Sequence, residues 1–590
     1  MNYPFLKPTI QWIVLLSTLL LLAPVTSPGQ RRLQTLEAGQ HYQTGMRLLE
    51  KQDLDQAVAE LSTAIKLKPR FADAHNALGM ALARKGEAKA AAESFRQAIQ
   101  INPRLYEAHL GLASALRQTG DFDGAIAASK QAIALKPLEI DPRLLLGVAY
   151  EQKGDLDSAI AQFREAVQVK PNVAEAHSYL GFALGVKGLL KDSISEFETA
   201  VRLKPDLGEA QYYLGAARWF SNDVNGSIAP LTAAAKLMPN HPDAHYYLGR
   251  ALQKSGNLEG AINELETAIK LAPEMIESRQ AMGQALQQSE DLEGAIEAFR
   301  AVIRIKPDFV QAHNDLGLAL VQKRDPEAAI VEFNAVLKLE PNNLVAHHNL
   351  GMTLIQKADY AGAVTQYQKL IKLAPDDAEA HYNLGLALKQ QDALVDAIAE
   401  LRKAIDLKPS LQEAHYALGA TLLQQSNLTD AAAAFRAAIA MKNDYAEAHY
   451  ALGTVLQQKS DLDGAIDAFR DALKFAPNAP EIHNTLGNAL RQKGNIEAAR
   501  AEFQEAARLN KIKSNQQAAN FATNTGLAQL REGNTDGAVE RFQAAVQLDP
   551  TNAQAYYNLA KALLQRGNRE AAEAEYQKAK KINPRLKPLR

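Results

Sequence analysis

Eleven of the thirteen histidines fall at multiples of one spacing: His41, His75, His109, His177, His245, His313, His347, His381, His415, His449 and His483. A histidine column invites a metal, so that chemistry is weighed first. Residues one repeat apart on stacked helices lie about 8–10 Å from each other, whereas zinc needs each ring nitrogen within about 2.1 Å. Cysteine is absent, so no thiolate can complete a site, and disulfides and thiol nucleophiles are excluded. The column reads as packing, and no metal or other cofactor is expected. Asp121-Phe122-Asp123-Gly124 and Asp461-Leu462-Asp463-Gly464 offer a second candidate, a calcium loop. Such a loop needs glycine at its sixth position and glutamate at its twelfth. Here glycine comes fourth and helical sequence follows at once, so these are read as helix caps. No phosphate-binding loop, dinucleotide fingerprint or nucleophile elbow occurs. With 65 basic and 67 acidic side chains, the basic excess of a nucleic-acid binder is missing.

What must position these residues is a repeat. Prolines fall at Pro69, Pro103, Pro137, Pro171, Pro205, Pro239, Pro273, Pro307, Pro341, Pro375 and Pro409, each 34 residues after the last. Asn443 takes the next slot, Pro477 resumes, Lys511 follows, and Pro550 and Pro584 complete the series. Sixteen repeats run from Ala38 to Leu586, with a five-residue insertion near Asn510–Ala518. Numbering Ala378 as position 1, His381, Leu384, Gly385 and Leu388 occupy positions 4, 7, 8 and 11, one face of a helix. Ala397, Leu401 and Ala404, at positions 20, 24 and 27, form a second apolar set. A turn such as Gly154-Asp155 separates the two helices, and the proline ends the second. Position 8 is Gly in fourteen repeats and Ala in two; position 20 is Ala in fourteen and Ser in two. Small residues there let antiparallel helices approach closely.

The first 29 residues stand apart. Lys7 is the only charge between Met1 and Arg31, Ile13–Ala23 is almost wholly aliphatic, and Pro24 and Pro28 follow among small residues. This describes a secretory signal peptide cleaved before Gln30. The alternative is an uncleaved anchor over residues 10–25, although the apolar stretch is shorter than the roughly 20 residues that span a bilayer. The expected organisation is signal or anchor 1–29, lead-in 30–37, array 38–510, insertion or joint 511–518, two further repeats 519–586 and a tail 587–590. An exported, periplasmic or extracellular location is expected.

The 34-residue period, small residues at 8 and 20, Ala at 27, Pro at 32 and phenylalanine at 24 (Phe95, Phe163, Phe197, Phe299, Phe333, Phe435, Phe469, Phe503 and Phe542) together resemble the tetratricopeptide repeat (TPR) family. The resemblance implies an all-α, right-handed superhelical solenoid of antiparallel helix pairs, with the first helices lining an inner groove. It implies binding of proteins or peptides and no reaction. Histidine at position 4 departs from the family's usual large apolar residue.

Positions 2, 6, 9 and 13 face away from the core, with 5 and 12 on the flank. Position 2 is acidic in eleven repeats, including Glu175, Glu209 and Asp243. That reads either as a strip for basic partners or as carboxylates favoured near helix N-termini. Position 13 is Gln in ten repeats, an amide row for peptide backbone or simply a good helix former. A carboxylate clamp used by some TPR proteins carries Lys at position 2, so the acids argue against that ligand, although Asn349 and Asn383 match its asparagine at position 6. Tyr382, Tyr416 and Tyr450 at position 5 are read as packing on neighbouring helices. Tyr179, Tyr212, Tyr213, Trp219, Tyr246 and Tyr247 cluster in repeats five to seven and are the expected partner-binding residues. The expected function is an exported, non-enzymatic scaffold whose groove takes a basic or aromatic-rich protein segment. A regulatory or targeting subunit of a separate enzyme and a carbohydrate or cell-wall binder are the alternatives. No nucleic acid is expected, and membrane contact only through residues 1–29.

Overall fold

The computed structural model describes residues 28–589. The signal or anchor expected over residues 1–29 lies outside them, except that Pro28 opens the first helix, Pro28–Glu50. The lead-in is therefore helical and continuous with repeat one. The described residues form 31 helices and no strand. None of these helices is long and apolar enough to cross a membrane. The chain divides into two compact units, one ending at Ile305 with repeats one to eight and one beginning at Lys306 with repeats nine to sixteen. In each, helices pack as consecutive antiparallel pairs, such as Ala174–Val186 with Leu190–Leu203 in repeat five.

Local rules make each pair. Position 15 adopts a left-handed conformation, as at Gly154 (φ 89°) and Arg324 (φ 66°), which closes the first helix with bonds to its last carbonyls. Position 16 then caps the second. The Asp121 carboxylate accepts from the Gly124 N–H at 2.9 Å, and Asp461 accepts from Gly464 at 3.0 Å. The two calcium-like turns are thus helix caps.

Position 8 is glycine because of position 24. A Cβ on Gly317 would lie 2.5 Å from the Phe333 ring, and one on Gly385 would lie 2.7 Å from Leu401. Where position 8 is Ala113, position 24 shrinks to Ser129, whereas in the last repeat Ala560 stands with Tyr576. The ring therefore occupies the space the missing Cβ leaves, and eight of the nine position-24 phenylalanines are at most 2% exposed. Phe503 is the exception, half-buried.

The histidine column ties repeats together. Nε2 of His177, His245, His313 and His381 bonds the carbonyl of Pro171, Pro239, Pro307 and Pro375, at 2.9–3.1 Å. Each is the position-32 carbonyl that ends the preceding repeat. Nδ1 of the same rings meets the position-23 glutamates Glu196, Glu264, Glu332 and Glu400 at 2.6–2.7 Å. Both ring nitrogens are thereby engaged within the fold. In three of the five repeats without the histidine another donor takes its place: Gln211 bonds the Pro205 carbonyl at 3.0 Å, Arg143 bonds Pro137 at 2.7 Å, and Arg279 bonds Pro273.

The insertion is not a joint between helices. Residues 511–518 lie inside one helix, Ile496–Arg531, which merges the second helix of repeat fourteen with the first of repeat fifteen. Lys511 stands where proline would stop the helix, and Lys511–Ala518 contains neither Gly nor Pro, so nothing interrupts the ladder. At the C-terminal end, the Tyr576 hydroxyl donates to the Lys587 carbonyl at 3.3 Å and Leu589 packs on the last apolar cluster.

Two stability outcomes follow from these contacts. Gly317→Ala is expected to destabilise the second unit by about 1–3 kcal/mol through overpacking, and Gly317→Ala with Phe333→Ser, the pair repeat three already uses, to cost less than the sum of the two single changes in a double-mutant cycle read by chemical denaturation. His381→Leu leaves the Pro375 carbonyl and the Glu400 carboxylate without their donor and is expected to cost about 1–3 kcal/mol. His381→Gln, which can keep the carbonyl bond as Gln211 does, is expected to cost less in the same measurement.

Candidate functional site

The first helices of repeats four, five and six (Asp141–Lys153, Ala174–Val186 and Gly208–Phe220) present their outward faces side by side. Between them lies a cavity of about 230 Å³. Its aromatic walls are Tyr179, Phe182 and Tyr213; Glu151, Glu175 and Glu209 ring it; Val148, Ser178 and Leu207 complete the lining. The Tyr179 ring stacks on Phe163 at 5.6 Å yet remains 42% exposed. Tyr213 stacks on Phe197 at 5.7 Å and meets Phe182 edge-on at 5.0 Å. The rings are thus held from behind while one face opens to the cavity.

The three carboxylates differ. Glu175 is bridged by Lys204 at 2.8 Å, and that hydrogen bond holds it below the usual glutamate range. Burial pushes the Glu151 carboxyl up, and no cation pairs with it among the described residues. Burial also raises the Tyr213 hydroxyl, with the negative charges of Glu209 and Glu151 adding to the effect. The cavity thus combines π faces with unneutralised negative charge, the two features that attract a cation.

The five tyrosines and one tryptophan picked from sequence divide. Tyr179 and Tyr213 line the cavity, whereas Tyr212, Trp219, Tyr246 and Tyr247 do not. Those four are half-buried and pack against core clusters of repeats six to eight. Trp219 is covered by Arg250 at 5.7 Å and Lys254 at 5.6 Å, and the Tyr246 hydroxyl accepts from Arg250. They still connect to the site, because Tyr213, Tyr212 and Tyr247 touch in series at 5.1 and 6.2 Å and Tyr247 reaches the exposed Phe220 at 5.7 Å. Glu151 and Phe182 were missed. They sit at positions 12 and 9, both assigned outside the core columns, so reading those positions for charge and aromaticity would have found them. In the second unit, Tyr416 and Tyr450 pack on Phe435 and Phe469 at 5.6 and 5.7 Å. Part of the acidic position-2 strip is neutralised within its own repeat, as in Lys136–Glu107 at 3.0 Å.

Stacked helix pairs of near-constant length, repeated along the chain, define a helical-repeat scaffold. The chain belongs to the tetratricopeptide repeat family. A model described as tetratricopeptide repeat matches residues 42–105, 102–140, 110–177, 144–208, 281–343, 416–480 and 484–553, more than half of the chain. Further models of that description match 242–275, 378–411 and 529–587, and one described as TPR repeat matches 353–392. No curated protein sequence matches. Among solved structures, the chain is similar to YrrB, described as a TPR protein with an unusual peptide-binding site, at 23% identity over 34% of this chain and 100% of that one, TM-score 0.31. It is similar to MamA from Desulfovibrio magneticus RS-1 at 26% identity over 29% and 96%, TM-score 0.28. Yeast Tom70 matches at 17% identity over 66% and 96%, TM-score 0.31.

The state of Glu151 gives a signed pH outcome. Because its folded pKa is raised, the parent chain is most favoured when this carboxyl is protonated and loses stability as pH rises through that pKa. Glu151→Gln is therefore expected to raise the denaturation midpoint at pH 7. The advantage should shrink as pH falls toward and below about 4.3, the ordinary glutamate value.

Proposed function

We propose that the protein is an exported interaction scaffold, without catalysis of its own, that holds a protein segment by a basic side chain in the cavity of repeats four to six. One observation carries this reading: the Glu151 carboxylate, partly desolvated and unpaired, faces the same cavity as three aromatic rings. A lysine or arginine entering there gains Coulomb attraction and a cation–π contact while neutralising a charge the fold leaves uncompensated. Export rests on the apolar stretch of residues 1–29. Aromatic rings beside carboxylates also suit a sugar, which gives the experiment its second arm.

The test is fluorescence titration of the full chain with short peptides differing only in a central Lys, Arg or Ala, and with neutral oligosaccharides. Basic peptides are expected to bind, and Ala peptides to bind at least tenfold more weakly, about 1.4 kcal/mol. Glu151→Gln and Tyr213→Ala are each expected to weaken the basic peptides by a similar factor, Glu151→Gln without loss of stability. Equal binding of Ala and Lys peptides, or binding of sugars alone, would sink the assignment.

A further inference from the structure

Repeats fourteen and fifteen are neighbours in sequence that cannot stack on each other. Regular junctions place the position-24 ring of one repeat against position 6 of the next, as in Phe163 with Tyr179 at 5.6 Å and Phe197 with Tyr213 at 5.7 Å. The corresponding residues here are Phe503 and Asn524. Both lie on the single helix Ile496–Arg531, 36 residues and about 54 Å long. Within one chain they stay about 32 Å apart at 1.5 Å per residue.

Both halves of the missing interface are consequently open. On repeat fourteen, Ile496 is 61% exposed, and Phe503 is the position-24 phenylalanine that is not sealed. Beside them is a hollow of about 330 Å³ whose lining includes Arg491, Ile496, Ala499, Phe503 and Ala507. The Arg491 guanidinium lies over the Phe503 ring at 5.8 Å, on the side where a following repeat would pack. On repeat fifteen, position 3 is Phe521 rather than the alanine of most repeats, and it is 76% exposed. Ala528 at position 10 is also exposed, whereas its counterparts Ala183, Ala251 and Ala319 are fully buried. Position 4 is Ala522, so the donor that clips one repeat to the previous turn is missing as well.

We propose that a second copy of this chain closes both faces by reciprocal exchange, the first helix of repeat fifteen from each copy packing on repeat fourteen of the other. The register supports this occupant. A second helix and the first helix that follows it run antiparallel in a regular junction. Two copies of Ile496–Arg531 laid antiparallel, with Lys513–Ser514 at the crossing, put Phe503 of each against Asn524 of the other. The same alignment sets Ala528 over Ala499 and Phe521 over the hollow beside Ala507. The contact is self-complementary and closes on a two-fold axis. It continues the repeat-to-repeat interface already built thirteen times before it in the sequence pattern. The insertion supplies the length that carries each helix past the axis.

Sedimentation and light scattering on the full chain test this. A dimer at micromolar concentration is expected. Phe521→Glu and, separately, Ala507→Glu, both at exposed positions, are expected to raise its dissociation constant at least tenfold with unchanged helical circular dichroism. Because the chain has no cysteine, Gln504→Cys with Asn524→Cys gives a clean crosslink, expected to join two chains. A monomer, a dimer indifferent to both charges, or a disulfide closed within one chain would each overturn the proposal; the last would mean that the long helix bends into an ordinary turn.

Discussion

Second helices that close at the regular position-32 turn leave its last carbonyl without a partner inside their own helix. A carbonyl left unpaired beside a packed interface is costly. The following repeat answers it with a side-chain N–H from position 4, supplied by His381 to Pro375, by Gln211 to Pro205 and by Arg143 to Pro137. Among these repeats the identity of the donor varies while the bond is kept. His449 makes the same bond to Asn443, so the requirement is the carbonyl and its turn rather than proline itself. Through Nδ1 six of the eleven histidines also reach the glutamate of their own second helix. One ring thereby fixes three segments, which explains why the most metal-like residues in the sequence are structural.

The clip sets the spacing at which the second constraint operates. With neighbouring repeats held at a fixed distance, the position-24 ring has one place to go, over the glycine of its own first helix and under the next repeat. Gly317 and Phe333, or Ala113 and Ser129, are two solutions of one volume equation. An array with only nearest-neighbour interfaces has no other source of cooperativity. A lapse therefore shows locally: Phe503 loses its cover where the turn, the clip and the small position-3 residue are all absent together.

The fold was legible because periodicity states the same pattern sixteen times, and the caps were legible because Asp at position 16 has one local use. The long helix was harder to read. Lys511 in place of proline was visible, but an insertion of polar residues reads equally as loop or as helix until the helix formers on both sides are counted. Phe521 and Ala522 were the decisive residues, because they remove the docking surface a turn would need. Half of the candidate site was legible for a related reason. Tyrosine at position 5 or 6 is amphipathic, and whether it packs or projects depends on its neighbours: Tyr212 is caught against His241 at 4.8 Å, while Tyr179 has one free face. Counting aromatics located the region but could not divide it.

Charge separates the site from the rest of the surface more sharply than aromatic content does. The position-2 carboxylates look alike in sequence, yet Glu107 and Glu175 are answered by Lys136 and Lys204 of their own repeats. Glu151 sits at position 12, where no such lysine reaches it, and the rings beside it strip away part of its water. Desolvation without pairing lowers the stability of the folded chain, so this residue is a local cost that the repeat architecture does not require. Other repeats carry neutral or basic residues at the same position, such as Gln287 and Arg117. A charge held against the interests of folding, at the edge of a cavity with aromatic walls, is the feature on which the proposed capture of a basic side chain rests.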